Sequence, residues 1–166
     1  MVWRQCCRQI LEIKNGAVFT ILFKFVSLQD MDNSMVRGVI FLIENEAHRF
    51  LLEQRNENSK LSKWEWVFPG GAIDEGEDSL RAVIREAEEE FGIKFGPDNC
   101  IKIGTAPTHS GRGLNELWHC LLKNLRSPLI ITESAGAGWF TFDEIRKMEL
   151  GYRQTELVIP VLDSKF

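Results

Sequence analysis

The sequence is short of several things, and each shortage removes a class of function. It has no surplus of positive charge: 20 Lys and Arg stand against 24 Asp and Glu, for a net charge of −4. A protein that grips nucleic acid along a broad face needs a basic stripe. No stable nucleic-acid complex is therefore expected, although a few local Lys or Arg suffice for a small phosphorylated ligand. The four cysteines, Cys6, Cys7, Cys100 and Cys120, show no C-x-x-C pair of a zinc site. They read as small core or surface residues carrying reduced thiols. Hydrophobic runs are short as well. The most apolar stretch, "AVFTILFKFV", is about half a membrane span and has Lys24 inside it. The opening "MVWRQCCRQILEIKNG" lacks the apolar run of a signal peptide. The expectation is a cytoplasmic protein without membrane association. Repeats and low-complexity segments are absent.

What is present is an ordinary globular mix, with 44% hydrophobic and 27% charged residues over 166 positions. That length suggests a single domain, 1–166, able to bury a sizeable core. Asn15-Gly16 sits between two β-rich runs, the strongest short signal for a hairpin, with strands near 8–14 and 17–26. Residues 1–35 read as an N-terminal hairpin extension and a candidate homodimer interface through strand pairing. A second hairpin is predicted over 36–55, turning around Glu44 to Ala47, followed by a short strand in "WEWVF" stopped by Pro69, Gly70 and Gly71. Strands are also expected in "CIKIGT", "ELWHCLLKNL" and "GWFTF", with a helix from near Asp143 and a final helical segment kinked at Pro160. Strands on both sides of one strong helix indicate a mixed α/β architecture.

That helix is predicted over 77–91. Leu80, Val83, Ile84, Ala87 and Phe91 follow the 3-4 spacing of a buried stripe. Gly92 fits a left-handed cap and Ile93 the apolar residue closing it. Its end, "REAEEEFGI", carries the wrong charge, because a helix C-terminus prefers cations by about 0.3–1 kcal/mol per group. At about 100° per residue, Glu86, Glu89 and Glu90 share one face, Glu88 points away, and Arg85 lies one turn before Glu89. A bound Mg²⁺ would reverse the penalty, since this hard cation takes carboxylate oxygens, waters and phosphates. The preceding glycines allow a sharp turn and close approach of a phosphate.

These residues match a known pattern. "GGAIDEGEDSLRAVIREAEEEFGI" resembles the Nudix box, G-x5-E-x7-R-E-U-x-E-E-x-G-U with U apolar, through Gly71, Glu77, Arg85, Glu86, Ala87, Glu89, Glu90, Gly92 and Ile93. Looser resemblance covers 36–166. It implies a Nudix hydrolase: an α/β/α sandwich with a mixed sheet, cleaving a nucleoside diphosphate linked to another group with Mg²⁺ or Mn²⁺. By position, Glu86, Glu89, Glu90 and the carbonyl of Gly70 resemble the metal ligands. Arg85 and Glu77 resemble the pair that steadies helix and loop, alongside the motif glycines Gly71 and Gly92. The implied catalytic set is Glu86, Arg85 and Glu133. The base is Glu86 in the box or Glu133 on the loop "ITESAGAGWF", with Glu116 a weaker alternative.

The substrate is less marked. Trp64, Trp66 and Phe68 alternate along one stretch, so an aromatic there could stack on a base. Arg55, Trp66, His109, Arg112 and Trp139 are candidate substrate contacts. The downstream tyrosine of dinucleoside polyphosphate hydrolases is replaced by Gly111. Pro107 lies off the position of the proline in ADP-ribose hydrolases, and Asn56, Lys60 and Trp64 depart from the coenzyme A hydrolase signature. The expected function is a pyrophosphohydrolase acting on a nucleotide or other diphosphate-containing small molecule and releasing a nucleoside monophosphate. The alternatives are a non-catalytic nucleotide-binding or regulatory module, and an enzyme acting on a non-nucleotide diphosphate.

Overall fold

A computed structural model describes residues 35–123 and 128–166. The hairpin expected within 1–35, and the dimer interface assigned to it, lie outside the described residues. Strand β1 (Val36–Asn45) is the spine of the sheet. Its run from Val39 to Ile43 is buried throughout, as a strand covered on both faces requires. It turns through Glu46 and Ala47 into β2 (Phe50–Gln54), and the two strands pair only at Glu44–Phe50 before separating. The chain over β3 (Trp66–Val67) and β4 (Gly70–Ala72) fits into the gap: β3 pairs with β2, and β4 with β1. Pro69 stands between them, and its carbonyl accepts from the Phe41 amide at 2.9 Å.

On the other side, β1 runs parallel to β6 (Leu114–Leu122), which pairs antiparallel with β5 (Cys100–Pro107). Strand β7 (Gly136–Phe140) adds antiparallel to β2. The result is a seven-stranded mixed sheet. Cys100 and Cys120 face each other across β5 and β6 as buried free thiols, consistent with core residues.

Alternation along the strands feeds two cores. Val39, Phe41, Ile43 and Leu51 face helix α1 (Ser79–Phe91), meeting Ala82, Val83, Ala87 and Phe91. Ile40, Leu42, Phe50 and Leu52 face the opposite layer, where Phe142, Ile145, Val158, Ile159 and Leu162 come from short helices α2 (Phe142–Ile145), α3 (Gln154–Leu157) and α4 (Ile159–Leu162). The sheet between two helical layers is the α/β/α sandwich that the resemblance implied. In place of the expected kink at Pro160, the helical segment breaks at Val158, between α3 and α4, and Pro160 sits in the first turn of α4. Trp64 departs from expectation. It lies before β3 with φ 65° and is exposed, so the alternation of Trp64, Trp66 and Phe68 does not continue through it. Among the described residues, no helix is long and apolar enough to cross a membrane.

Helix α1 starts where Asp78 accepts the Arg81 amide at 2.9 Å and ends at Gly92, φ 68°. There the Gly92 and Ile93 amides donate to Glu88 and Ala87, closing the last turn with a buried Ile93. The first turn has no acid and the last no base, so the last turn with its glutamates is left uncompensated against the helix dipole.

Candidate functional site

The site forms where the end of α1 meets β4 and β2. Arg85 organises it. Its Nε and one Nη donate to both oxygens of Glu77 at 3.0 Å, that same Nη reaches the Ala72 carbonyl at 3.0 Å, and the other Nη reaches Glu86 at 2.8 Å and Glu89 at 3.2 Å. Glu77 in turn accepts the Asp74 amide at 3.1 Å. One planar guanidinium thus ties the loop to the helix, a task suited to a forked donor. The hydrogen bond from Arg85 holds the Glu77 carboxyl below its ordinary range, against the opposing effect of burial. Glu77 and the other carboxylates together hold the Arg85 pKa above its ordinary value.

The three glutamates of the predicted face differ in depth. Glu89 is exposed, Glu86 half-buried and Glu90 buried. Glu88 faces away and pairs with Lys94 at 3.0 Å. Glu86 lies directly against Gly71: a Cβ added there would stand 2.0 Å from its carboxylate. Burial, with Glu89 and Glu133 nearby, pushes the Glu86 carboxyl up despite Arg85. Glu90 is pushed up to about 9, first by burial and then by the negative charges of Glu53, Glu86 and Glu133. Its Oε2 is buried without a hydrogen-bond partner. Such a group is expensive to leave unpaired. Among the described residues no three carboxylates meet at ligating distance as they stand. Between Glu86 and Glu89 the Nη of Arg85 is interposed. An all-oxygen donor set with one orphaned, deeply buried oxygen still fits a hard divalent cation, which would offset the repulsion.

Glu133 is on the exposed loop before β7, and that loop is fastened to the site. The Glu133 carbonyl accepts from Asn56 at 2.5 Å, the Ala135 amide donates to Gln54 at 2.8 Å, and Thr132 donates to the Glu89 carbonyl at 3.0 Å. Ser134 donates to Glu53. Glu116 is elsewhere. Its carboxylate, buried on β6, accepts from Lys102 at 2.5 Å and from Ser79 at the start of α1, which fixes the beginning of the helix and leaves Glu116 no place in the cluster.

Glu53 escaped the sequence reading. It is 2% exposed and holds Arg55 at 3.0 Å through Oε1 and Ser134 through Oε2. A signal existed: in "LLEQR" Glu53 shares parity with Leu51, which faces α1, so alternation directs a carboxylate toward the helix.

A cleft of about 370 Å³ opens beside this cluster, lined by Glu53, Gly70 and Gly71 and, further along, by Arg55, His109 and Tyr152. Of the candidate substrate contacts, Arg55 and His109 are brought to it. Trp66, Trp139 and Arg112 are not. Trp66 packs edge-on against Phe140 at 5.1 Å in the second core, and Trp139 packs on the first. Both lie in strands and are half-buried against core residues. Arg112 lines an adjoining shallow depression with Arg37 and Ser110. Tyr152, Asn115 and Gln154 were unforeseen. Gln154 is buried and brackets Phe68, accepting its amide at 2.7 Å and donating to its carbonyl at 3.2 Å, which steadies the approach to Pro69 and Gly70.

Comparison with known proteins agrees with this fold. Residues 35–159 match the family model described as NUDIX domain. An 8-oxo-dGTP diphosphatase of Haemophilus influenzae is 38% identical over 63 residues, 38% of this chain and 46% of that protein. A CMP-5'-(N-acetyl-N-hydroxy-3-aminopropyl)phosphonate hydrolase of Streptomyces rubellomurinus is 28% identical over 115 residues, 67% of this chain and 54% of that one. The chain thus spans about half the length of these curated relatives. The crystal structure of a MutT protein from Methanosarcina mazei superposes with a TM-score of 0.57 at 26% identity, covering 68% of this chain and 81% of the other. With the family model matching most of the chain, over the residues that build the sheet, α1 and the cleft, this protein belongs to the NUDIX domain family.

Proposed function

We propose that the chain is a divalent-metal-dependent pyrophosphohydrolase that cleaves the diphosphate bond of a nucleoside diphosphate derivative and releases a nucleoside monophosphate. The observation that carries this reading is Glu90, a buried carboxylate with an orphaned oxygen and acidic neighbours, next to a cleft floored by glycine. The named activities of the two curated relatives, on 8-oxo-dGTP and on a CMP-linked phosphonate, support a nucleotide as substrate.

Glu86, Glu89 and Glu90, with the Gly70 carbonyl, would hold Mg²⁺ or Mn²⁺. When bound, such a metal neutralises the diphosphate and lowers the pKa of a coordinated water. Arg85 keeps Glu86 and Glu89 oriented and ties α1 to the 72–77 loop. The absence of a side chain at Gly71 leaves room for the Glu86 carboxylate. Glu133 is the base we assign, because its exposed carboxylate can take a proton from water while Asn56 and Ser134 hold its loop beside the acidic cluster. Arg55, fixed by Glu53, offers positive charge to the substrate from the cleft wall.

The test is incubation with Mg²⁺ and a nucleotide panel. The expected result is release of a nucleoside monophosphate, lost in Glu89→Gln, with Glu133→Gln lowering kcat more than it changes KM. Tight nucleotide binding without turnover in any metal would instead make the chain a binding module.

A further inference from the structure

The segment 130–135 is tied both to the end of α1 and to the end of β2. On the α1 side the Ile130 amide donates to the Phe91 carbonyl at 3.1 Å, and the Thr132 hydroxyl to the Glu89 carbonyl at 3.0 Å. On the β2 side the Glu133 carbonyl accepts from Asn56 at 2.5 Å, and the Ala135 amide donates to the Gln54 carbonyl at 2.8 Å. Each of these bonds ends on a main-chain carbonyl. A further one differs in kind. The Ser134 hydroxyl donates to Glu53, a charged side chain with another partner of its own.

That other partner is Arg55. One Nη of Arg55 donates to Glu53 Oε1 at 3.0 Å, while Ser134 takes Oε2. The two oxygens belong to one planar group, so a rotation of the carboxylate that follows one partner carries the other. Glu53 is buried, and its oxygens have no ready exchange with water if either bond breaks. Arg55 Nε is buried with no partner, which leaves Glu53 as the anion that sets this guanidinium. Arg55 lines the cleft. An anion drawn to it there acts on Glu53 as well, and through Glu53 on Ser134. Core packing alone does not account for a carboxylate at this position. Position 53 faces α1 beside Leu51, where an apolar side chain would fill the space without the cost of burying a charge.

Resting on the roles given above to Arg55 and Glu133, we propose that Glu53 is a positioning residue that couples the two. One oxygen of its buried carboxylate sets the arginine that meets the substrate, and the other sets the segment that carries the base. The positive charge and the base are thereby placed as one unit, although Arg55 and Glu133 lie on different elements. By linkage the coupling runs both ways: the position of the 131–135 segment also acts on Arg55.

The experiment pairs kinetics with a readout that needs no turnover. In steady-state assays with Mg²⁺ and a hydrolysed nucleotide, Ser134→Ala should lower kcat about tenfold, the size of one hydrogen bond to a charged group, and leave KM unchanged. Glu53→Ala should lower kcat likewise and also raise KM, because Arg55 is released with it. Adding Ser134→Ala to Glu53→Ala should change nothing further, as for two residues on one path. Glu53→Gln should recover most of kcat, since its amide can accept from Arg55 and donate to Ser134. A merely structural Glu53 would lower the melting temperature and leave kcat and KM of the folded protein untouched. That result, or additive losses from Ser134→Ala and Glu53→Ala, overturns the proposal. Amide hydrogen exchange of the full chain without metal reads the coupling directly. Arg55→Gln should speed exchange over 131–135 when Ser134 is present and have no such effect in the Ser134→Ala background. Exchange indifferent to Arg55→Gln would refute the coupling even in an active enzyme. If no nucleotide is hydrolysed, a segment that responds to Arg55→Gln through Ser134 upholds the coupling and rejects the hydrolase reading.

Discussion

Glu90 is buried among Glu53, Glu86 and Glu133, and that arrangement opposes folding unless a proton or a cation accompanies it. Glu90→Gln keeps the shape and removes the charge. In the presence of a chelator at pH 8, the variant should melt above wild type, with each kcal/mol gained raising the melting temperature by about 2–4 °C. Differential scanning calorimetry gives the answer, and a lower melting temperature would refute the repulsion argument. The adjacent glycines allow a second test at the same scale. A Cβ on Gly71 meets the movable Glu86 carboxylate, whereas a Cβ on Gly70 would stand 2.3 Å from the Val39 carbonyl. Gly71→Ala should therefore retain a near-wild-type fold but lose most activity, as Glu86 is displaced. Gly70→Ala should lose stability itself, through the β1–β4 pairing. Circular dichroism with an activity assay distinguishes the two, and the same phenotype for both variants would contradict the geometry.

At the scale of elements, α1 is held at both ends by different means. Its end is capped by Gly92 and Ile93. Its beginning is fastened to the sheet through Ser79, Glu116 and Lys102, linking α1, β6 and β5. Burial alone would raise the Glu116 carboxyl, but the hydrogen bonds from Lys102 and Ser79 outweigh it and hold the pKa below the ordinary value. A carboxyl with a depressed folded-state pKa stabilises the fold above its unfolded pKa of about 4.3. That contribution is lost as pH falls through the lower, folded value. Glu116→Gln should cost about 1–3 kcal/mol at pH 7, and the gap from wild type should close in strongly acidic solution. Urea denaturation at several pH values measures this, and a gap independent of pH would show that the ion pair is not its source. Much at this scale was legible in sequence. The apolar stripe and Gly92 mark α1 because helix periodicity and C-terminal caps are local, while its start lies at Ser79 and not at the expected Glu77. Pro69 ends β3 for an equally local reason, whereas Gly70 and Gly71, expected as stops, form β4. The wedge of β3 and β4 between β1 and β2 was not legible, since it depends on which strand edges remain open after the first hairpin diverges.

For the whole molecule, the acidic cluster, the cleft and the 128–135 loop form one unit, built from β2, β4, α1 and the segment before β7. If a divalent cation binds there, it stabilises the folded state by mass action, by about 2.7 kcal/mol at a concentration one hundred times its Kd. Mg²⁺ should then raise the melting temperature of wild type by several degrees and that of Glu90→Gln by much less. A melting temperature and an activity both indifferent to Mg²⁺ and Mn²⁺ would remove the basis for the metal site.

Local pattern was enough for the carboxylate face of α1, the place of Arg85 one turn before Glu89, and the family. The face and the place of Arg85 follow from residue spacing along one helix, where geometry is repeated every turn, and the pairing of Arg85 with Glu77 came only with the family resemblance. Only tertiary structure decided the rest. It ranked Glu86, Glu89 and Glu90 by burial, packed Trp66 and Trp139 against the cores, committed Glu116 to Lys102 and Ser79, and introduced Glu53 and Tyr152. Those outcomes depend on contacts between segments far apart in the chain, such as Ser134 with Glu53 and Ser62 with Tyr152. No spacing within a single element encodes them, because desolvation and side-chain pairing are set by whatever the rest of the fold brings alongside.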